Sequence, residues 1–172
     1  MKETLLANLG KFLMKIKPLE IVIIDDEKSY FTPQMIKLAK ESGHRIIDRY
    51  YLVDDKLLKK FIKSPADIFI LDIKGITKKE VAADGFALAE ILLSKTNAFI
   101  AITSAHKHHL KNKVINVDFI IEDRLLTAVD FVSILDEIVN QYLNTKLRFY
   151  RKIIFKIGLK LQKISTLNAN VV

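Results

Sequence analysis

The chain has 172 residues, 50% of them hydrophobic and 28% charged, and a net charge of +8. That is one domain's worth of chain with a real core, and it is too apolar for a disordered protein. The absence of cysteine excludes a disulfide scaffold, a thiolate metal site and a cysteine nucleophile, while five glycines and no GxGxxG leave no P-loop or dinucleotide fingerprint.

Residues 3–16 are predicted as an amphipathic helix, because Leu5, Leu9, Phe12, Leu13 and Ile16 recur at steps of three and four. Pro18 ends it. The stretch lacks the h-region and cleavage site of a signal peptide. No apolar run reaches the length of about 18 residues that a spanning helix needs, so a cytoplasmic location is expected.

Ile21-Val22-Ile23-Ile24 reads as a strand buried on both faces, stopped by Asp25-Asp26. Thr32-Pro33 predicts an N-cap with proline at the first helical position, and Gly43 a left-handed stop after Ser42. Arg45 to Val53 reads as the second strand. Asp54 or Asp55 caps a helix over Lys56 to Lys63, closed by Pro65. Asp67 to Leu71 is the third strand, stopped by Asp72. Residues 73–84 read as a polar loop of unusual length, Gly85 to Ser94 as the third helix, Ala98 to Thr103 as the fourth strand and His106 to Val114 as at best a short helix. Val117 to Ile121 is the fifth strand. From about Leu125 a helical pattern runs almost to Ile164. Strands alternating with helices give a parallel sheet covered on both faces.

The end of the chain carries its basicity. After Thr145 come Lys146, Arg148, Arg151, Lys152, Lys156, Lys160 and Lys163 with no acid, which leaves +1 for residues 1–145. Leu143, Leu147, Tyr150, Ile154, Ile157, Leu161 and Ile164 form a seam at steps of four and three. The division expected is an amino-terminal helix over 1–18, a central domain over 19–142 and a basic helical extension over 143–172. The regular seam favours a homo-oligomer formed through the helical extensions, in an antiparallel or mixed pairing because the flanks are all positive. The competing readings are a basic helix on an anionic membrane or acidic partner, and a nucleic-acid contact through phosphate. A solvated basic face is the plain alternative. The tail is too short for a helix-turn-helix module.

In an open parallel sheet, chemistry gathers outside the carboxyl ends of the strands, where strand order reverses. Asp25 and Asp26 end strand one and Asp72 ends strand three. If these strands are neighbours, three carboxylates converge, and a hard cation such as Mg²⁺ is what keeps them all ionised. A cation there would also neutralise an incoming phosphoryl group, and Thr103 at the end of strand four offers a hydroxyl to a phosphoryl oxygen. As the plain alternative, acids at strand ends are often only terminators and caps. His106, His108 and His109 match no common structural zinc spacing and read as solvated loop. A haloacid-dehalogenase-like phosphatase would need an acid where Lys74 stands, and Asp25-Asp26-Glu27 repels the phosphate that a flavodoxin-type flavin binder would hold.

The stretch IVIIDDE, then FILD ending at Asp72, AITSA with Thr103, DFII before Glu122, and Asp84-Gly85 opening helix three resembles the receiver domain of bacterial two-component response regulators, over roughly residues 20–140. The resemblance implies a flavodoxin-like α/β fold, a five-stranded parallel sheet of order 2-1-3-4-5 with helices on both faces, here with helical extensions at both ends. It implies Asp72 as phospho-acceptor from a histidine kinase or phosphotransfer protein. It implies Asp26, Asp72 and the Lys74 backbone carbonyl as Mg²⁺ ligands, with Asp25 helping through water. Thr103 and Phe119 would be the switch pair that reports to the face around helix four, strand five and helix five. The pattern departs after strand five, where Glu122-Asp123-Arg124 stands in place of the usual Lys; Arg124, Lys74 and Lys107 are the nearby cations in sequence. The implied role is a regulatory phospho-acceptor or a pseudo-receiver that acts by protein contact, rather than a turnover enzyme. The alternative is a nucleic-acid- or membrane-binding protein that uses the receiver fold as scaffold.

Overall fold

The computed structural model describes residues 18–103, 117–121 and 127–146. The predicted amino-terminal helix, the histidine cluster, Glu122 to Arg124 and the seam beyond Lys146 lie outside them. The described elements are β1 (Glu20–Ile24), α1 (Pro33–Glu41), β2 (Arg45–Tyr50), α2 (Asp55–Lys63), β3 (Ile68–Asp72), α3 (Gly85–Lys95), β4 (Phe99–Thr103), β5 (Phe119–Ile121) and a helix α4 over 128–146. All strand pairs are parallel, in the order β2-β1-β3-β4-β5. The expected flavodoxin-like topology is therefore the observed one.

The strands are apolar throughout because both faces are covered. Alternate residues divide between two cores. Ile21, Ile23, Ile68, Ile70, Phe99, Ala101 and Ile121 meet Phe31, Met35 and Ala39 of the α1 side and Phe131, Leu135 and Ile138 of α4. Val22, Ile24, Phe69, Leu71, Ile100 and Ile102 meet Phe61 of α2 and Phe86, Leu88, Ala89 and Leu92 of α3. Phe61 and Phe69 cross edge to face with ring centroids 5.0 Å apart. Burying one such ring contributes about 1.5–3 kcal/mol.

The caps follow the sequence. Thr32 accepts from the Met35 N–H at 3.2 Å, with Pro33 at the start of α1. Asp54, not Asp55, caps α2, accepting from the Leu57 N–H at 2.8 Å. Gly43 has φ +95°, the left-handed stop expected after α1.

At the start of α4, the Thr127 hydroxyl and backbone N–H both donate to the Asp130 carboxylate, at 2.7 and 2.9 Å, and the Asp130 N–H donates back to Thr127 Oγ1 at 3.2 Å. The hydroxyl first, and the backbone N–H second, hold the Asp130 carboxyl below the usual carboxylate range. Its contribution to stability is thus full above the unfolded value, about pH 4, and is lost as pH falls through the lowered folded value. Carboxyl chemical shifts of Asp130 in a pH titration should give a midpoint below that of Thr127→Ala; equal midpoints would mean that the Thr127 hydroxyl does not bond the carboxylate.

Two expectations change. β2 ends at Tyr50 rather than Val53, because Tyr51 and Leu52 leave the ladder and are exposed. Val53 instead bridges to Thr77, its N–H donating to the Ile76 carbonyl at 2.7 Å and its carbonyl accepting from the Lys78 N–H at 3.2 Å. Residues 73–84 are consequently not a plain polar loop. The bridge presses Ile73, Ile76 and Ala82 into the α2–α3 core, all three buried.

At the amino ends of β3 and β4, α4 is fastened near its described end. The Tyr142 hydroxyl reaches Asp67 Oδ1 at 3.4 Å, its ring meets Phe99, and Lys146 Nζ donates to the Asn97 carbonyl at 3.1 Å.

Candidate metal and phosphoryl site

β1 and β3 are neighbours, and the chain leaves β1 toward β2 on one side and β3 toward β4 on the other. This is the switch point, where the diverging connections leave a crevice at the carboxyl ends. Ile24 is level with Leu71, so Asp25 and Asp72 extend from adjacent strands at the same height. Asp25, Asp26 and Asp72 each bring a carboxylate oxygen into a group lying within 4.8 Å of one another. The convergence expected from the sequence is therefore present.

The three are unequal. Asp25 is fully buried, Asp72 is 5% exposed, and Asp26 faces solvent. Asp25 Oδ1 accepts from the Glu27 N–H at 2.8 Å, and the Asp25 N–H donates to the Tyr50 carbonyl at 3.0 Å. Hard oxygen donors at this spacing suit a small divalent cation.

Two glycines shape the rim. Gly75 has φ +71°, and a Cβ there would stand 1.9 Å from Asp26 Oδ2, so its bare backbone packs on the Asp26 carboxylate. The Lys74–Gly75 backbone thus lies beside the cup, while Lys74 itself is solvent-exposed. A Cβ on Gly85 would stand 2.0 Å from the Asp72 carbonyl oxygen. Asp84 accepts from the Ala87 N–H at 2.9 Å, so its observed part is to cap α3.

Thr103 is level with Asp72 across β3 and β4. It is fully buried, and its Oγ1 has no hydrogen-bond partner among the described residues. A buried hydroxyl in that position costs free energy unless something occupies its donor and acceptor sites. Phe119 is half-buried, level with Ala101 on the adjacent strand, and packs into the same α1–α4 core that lies under Thr103. Thr103 is level with Ile121, so the two proposed switch residues lie on adjacent strands, one alternation apart. Glu122, Arg124 and Lys107 lie outside the described residues.

Sequence reasoning missed Gly75, although a glycine three residues after a strand-ending acid was the available signal. It also missed Arg49, whose guanidinium donates to the backbone carbonyl of Phe31, to Glu27 at 3.0 Å and to Lys28 at 3.2 Å.

No family model matches the chain, and no curated protein matches it. Solved structures do. The response regulator domain of Thermotoga maritima CheB is similar at 12% identity and a TM-score of 0.55, covering 74% of this chain and 98% of that one. A response regulator receiver domain protein from Clostridium thermocellum is similar at 20% identity and a TM-score of 0.55, covering 74% and 96%. The isolated REC domain of RcsB from Salmonella enterica serovar Typhimurium, determined with the phosphomimetic BeF3-, is similar at 16% identity and a TM-score of 0.51, covering 70% and 87%. The chain has the fold of response regulator receiver domains.

Proposed function

We propose that this protein is a signalling receiver that holds Mg²⁺ in the acidic cup, accepts a phosphoryl group on Asp72 and passes the resulting change on through protein–protein contact. The observation that carries the reading is the convergence of Asp25, Asp26 and Asp72 within 4.8 Å at the switch point of a receiver fold. Asp26 and Asp72, with the Lys74 backbone carbonyl, are the direct ligands in this reading, and Asp25 acts through water. Bound Mg²⁺ would supply neutralisation of the charge on the phosphoryl oxygens.

The protein's own part is positioning. An Asp72 carboxylate oxygen attacks phosphorus in a phosphohistidine donor. The new P–O bond forms as the P–N bond breaks, and the electron pair leaves with the imidazole, which takes up a proton. Donors would be a histidine kinase or phosphotransfer protein. The Thr103 hydroxyl, buried and without a partner among the described residues, would donate to a phosphoryl oxygen. Phe119 would follow its movement and change the face of β5 and α4, where Ile120 and Val129 are exposed.

Glu122 stands where receivers carry a lysine, so that position does not supply the lysine's charge-assisted contact, worth about 1.5–3 kcal/mol. Slow labelling is expected. Incubation with acetyl phosphate and Mg²⁺ should add one phosphoryl group, seen by intact mass. The adduct should vanish in Asp72→Asn and on chelation. A folded wild-type chain that takes no phosphoryl group and binds no beryllofluoride would overturn the acceptor and leave a pseudo-receiver.

A further inference from the structure

We propose that Arg49, on the edge strand β2, is a positioning residue for the acidic cup, setting its affinity for a divalent cation through the backbone of the β1–α1 turn. The inference rests on the cation-binding reading of Asp25, Asp26 and Asp72.

The turn from Asp26 to Phe31 is short and mostly exposed. Within it the Tyr30 N–H donates to the Glu27 carbonyl at 3.2 Å, and the Ser29 hydroxyl to the Glu27 carboxylate at 3.0 Å. Arg49 grips the turn from outside it. Its guanidinium is a planar fork of five donors, and here it gathers the carbonyls of Glu27, Lys28 and Phe31. Its faces are held as well. The guanidinium carbon is 5.1 Å from the Tyr51 ring centroid and 5.8 Å from that of the fully buried Phe31. Arg49 is half-buried and fixed by the ladder, level with Ile23 of β1.

Two of the three acids are controlled through this strap. Asp25 Oδ1 takes the Glu27 N–H, and the Glu27 carbonyl is held by Arg49. Asp26 lies between two anchors supplied by consecutive β2 residues. The Tyr50 carbonyl receives the Asp25 N–H on one side, and Arg49 grips Glu27 on the other. With Asp26 exposed and its carboxylate packed on Gly75, its direction is set by this backbone rather than by burial. Groups that orient metal ligands from behind typically change metal affinity by 10–100-fold when removed.

The full chain is titrated with Mn²⁺ by calorimetry, as wild type, Arg49→Lys and Arg49→Gln. Amide hydrogen exchange is read in the same proteins without metal. Arg49→Gln is expected to bind Mn²⁺ about 10–100-fold more weakly, with faster exchange over residues 27–31 and unchanged exchange in β3 and β4. Arg49→Lys keeps the charge without the fork and should recover only part of the affinity. Wild-type affinity in Arg49→Gln, or full recovery in Arg49→Lys, overturns the strap. Unaltered exchange over 27–31 overturns it even if the wild type binds no Mn²⁺, an outcome that by itself would remove the cup reading. Should Arg49→Gln fail to fold, the Arg49→Lys comparison decides.

Discussion

Gly85→Ala is expected to be among the most damaging single-methyl changes in this protein. The added Cβ would stand 2.0 Å from the Asp72 carbonyl oxygen, 2.8 Å from Ile73 Cα and 3.0 Å from the Asp72 carbonyl carbon. All three are backbone atoms of β3 and its continuation, so no side-chain rotation relieves the overlap. The Gly85 N–H also donates to the Ile73 carbonyl at 2.7 Å, which fixes the start of α3 against the end of β3. Relief requires the two elements to part, which breaks that bond and unseats Phe86 and Leu88 from the core. The cost should reach about 3 kcal/mol, the upper end of what overpacking typically costs, because the clashing atoms are backbone. Chemical denaturation measures it. A loss below about 1 kcal/mol would mean that α3 does not dock on β3 as described.

The second large effect is metal-linked stability. Three carboxylates within 4.8 Å repel one another; at an effective dielectric of 20 a unit pair at that distance costs about 3.5 kcal/mol, and less here because Asp26 is solvated. Asp72→Asn removes one of the buried charges, so its metal-free form should melt a few degrees above metal-free wild type. Mg²⁺ at a hundredfold its dissociation constant should add about 2.7 kcal/mol to the wild type, and little or nothing to Asp72→Asn. Thermal melts with Mg²⁺ and with chelator check both signs. A Mg²⁺ shift that survives Asp72→Asn would place the ion elsewhere.

The strands and most caps were legible because their physics is local. Continuous β-branched runs announce strands covered on both faces, and Thr32, Asp54 and Asp84 stand where a helix needs an acceptor for its first N–H groups. The sheet order was legible only through the resemblance, since nothing local says that β1 lies between β2 and β3. The segment 73–84 was misjudged because Lys78, Lys79 and Glu80 dominate its composition, whereas its packing is decided by a single bridge from Val53 to Thr77. For the same reason β2 was read too long: Val53 does pair, but with the loop and not with β1. Asp25, Asp26 and Asp72 were visible as strand terminators. Gly75 and Arg49 were not, because what they do depends on which backbone comes near them in space.

The fastening of Tyr142 to Asp67 and of Lys146 to Asn97 gives the molecule two separated poles. Asp67 and Asn97 precede β3 and β4, while Asp72 and Thr103 close them. Five residues of strand, about 17 Å, therefore lie between the acidic cup and the point where the basic stretch of sequence begins. A body bound at one pole leaves the other open to a second, and among the described residues the sheet and α4 are what join the two.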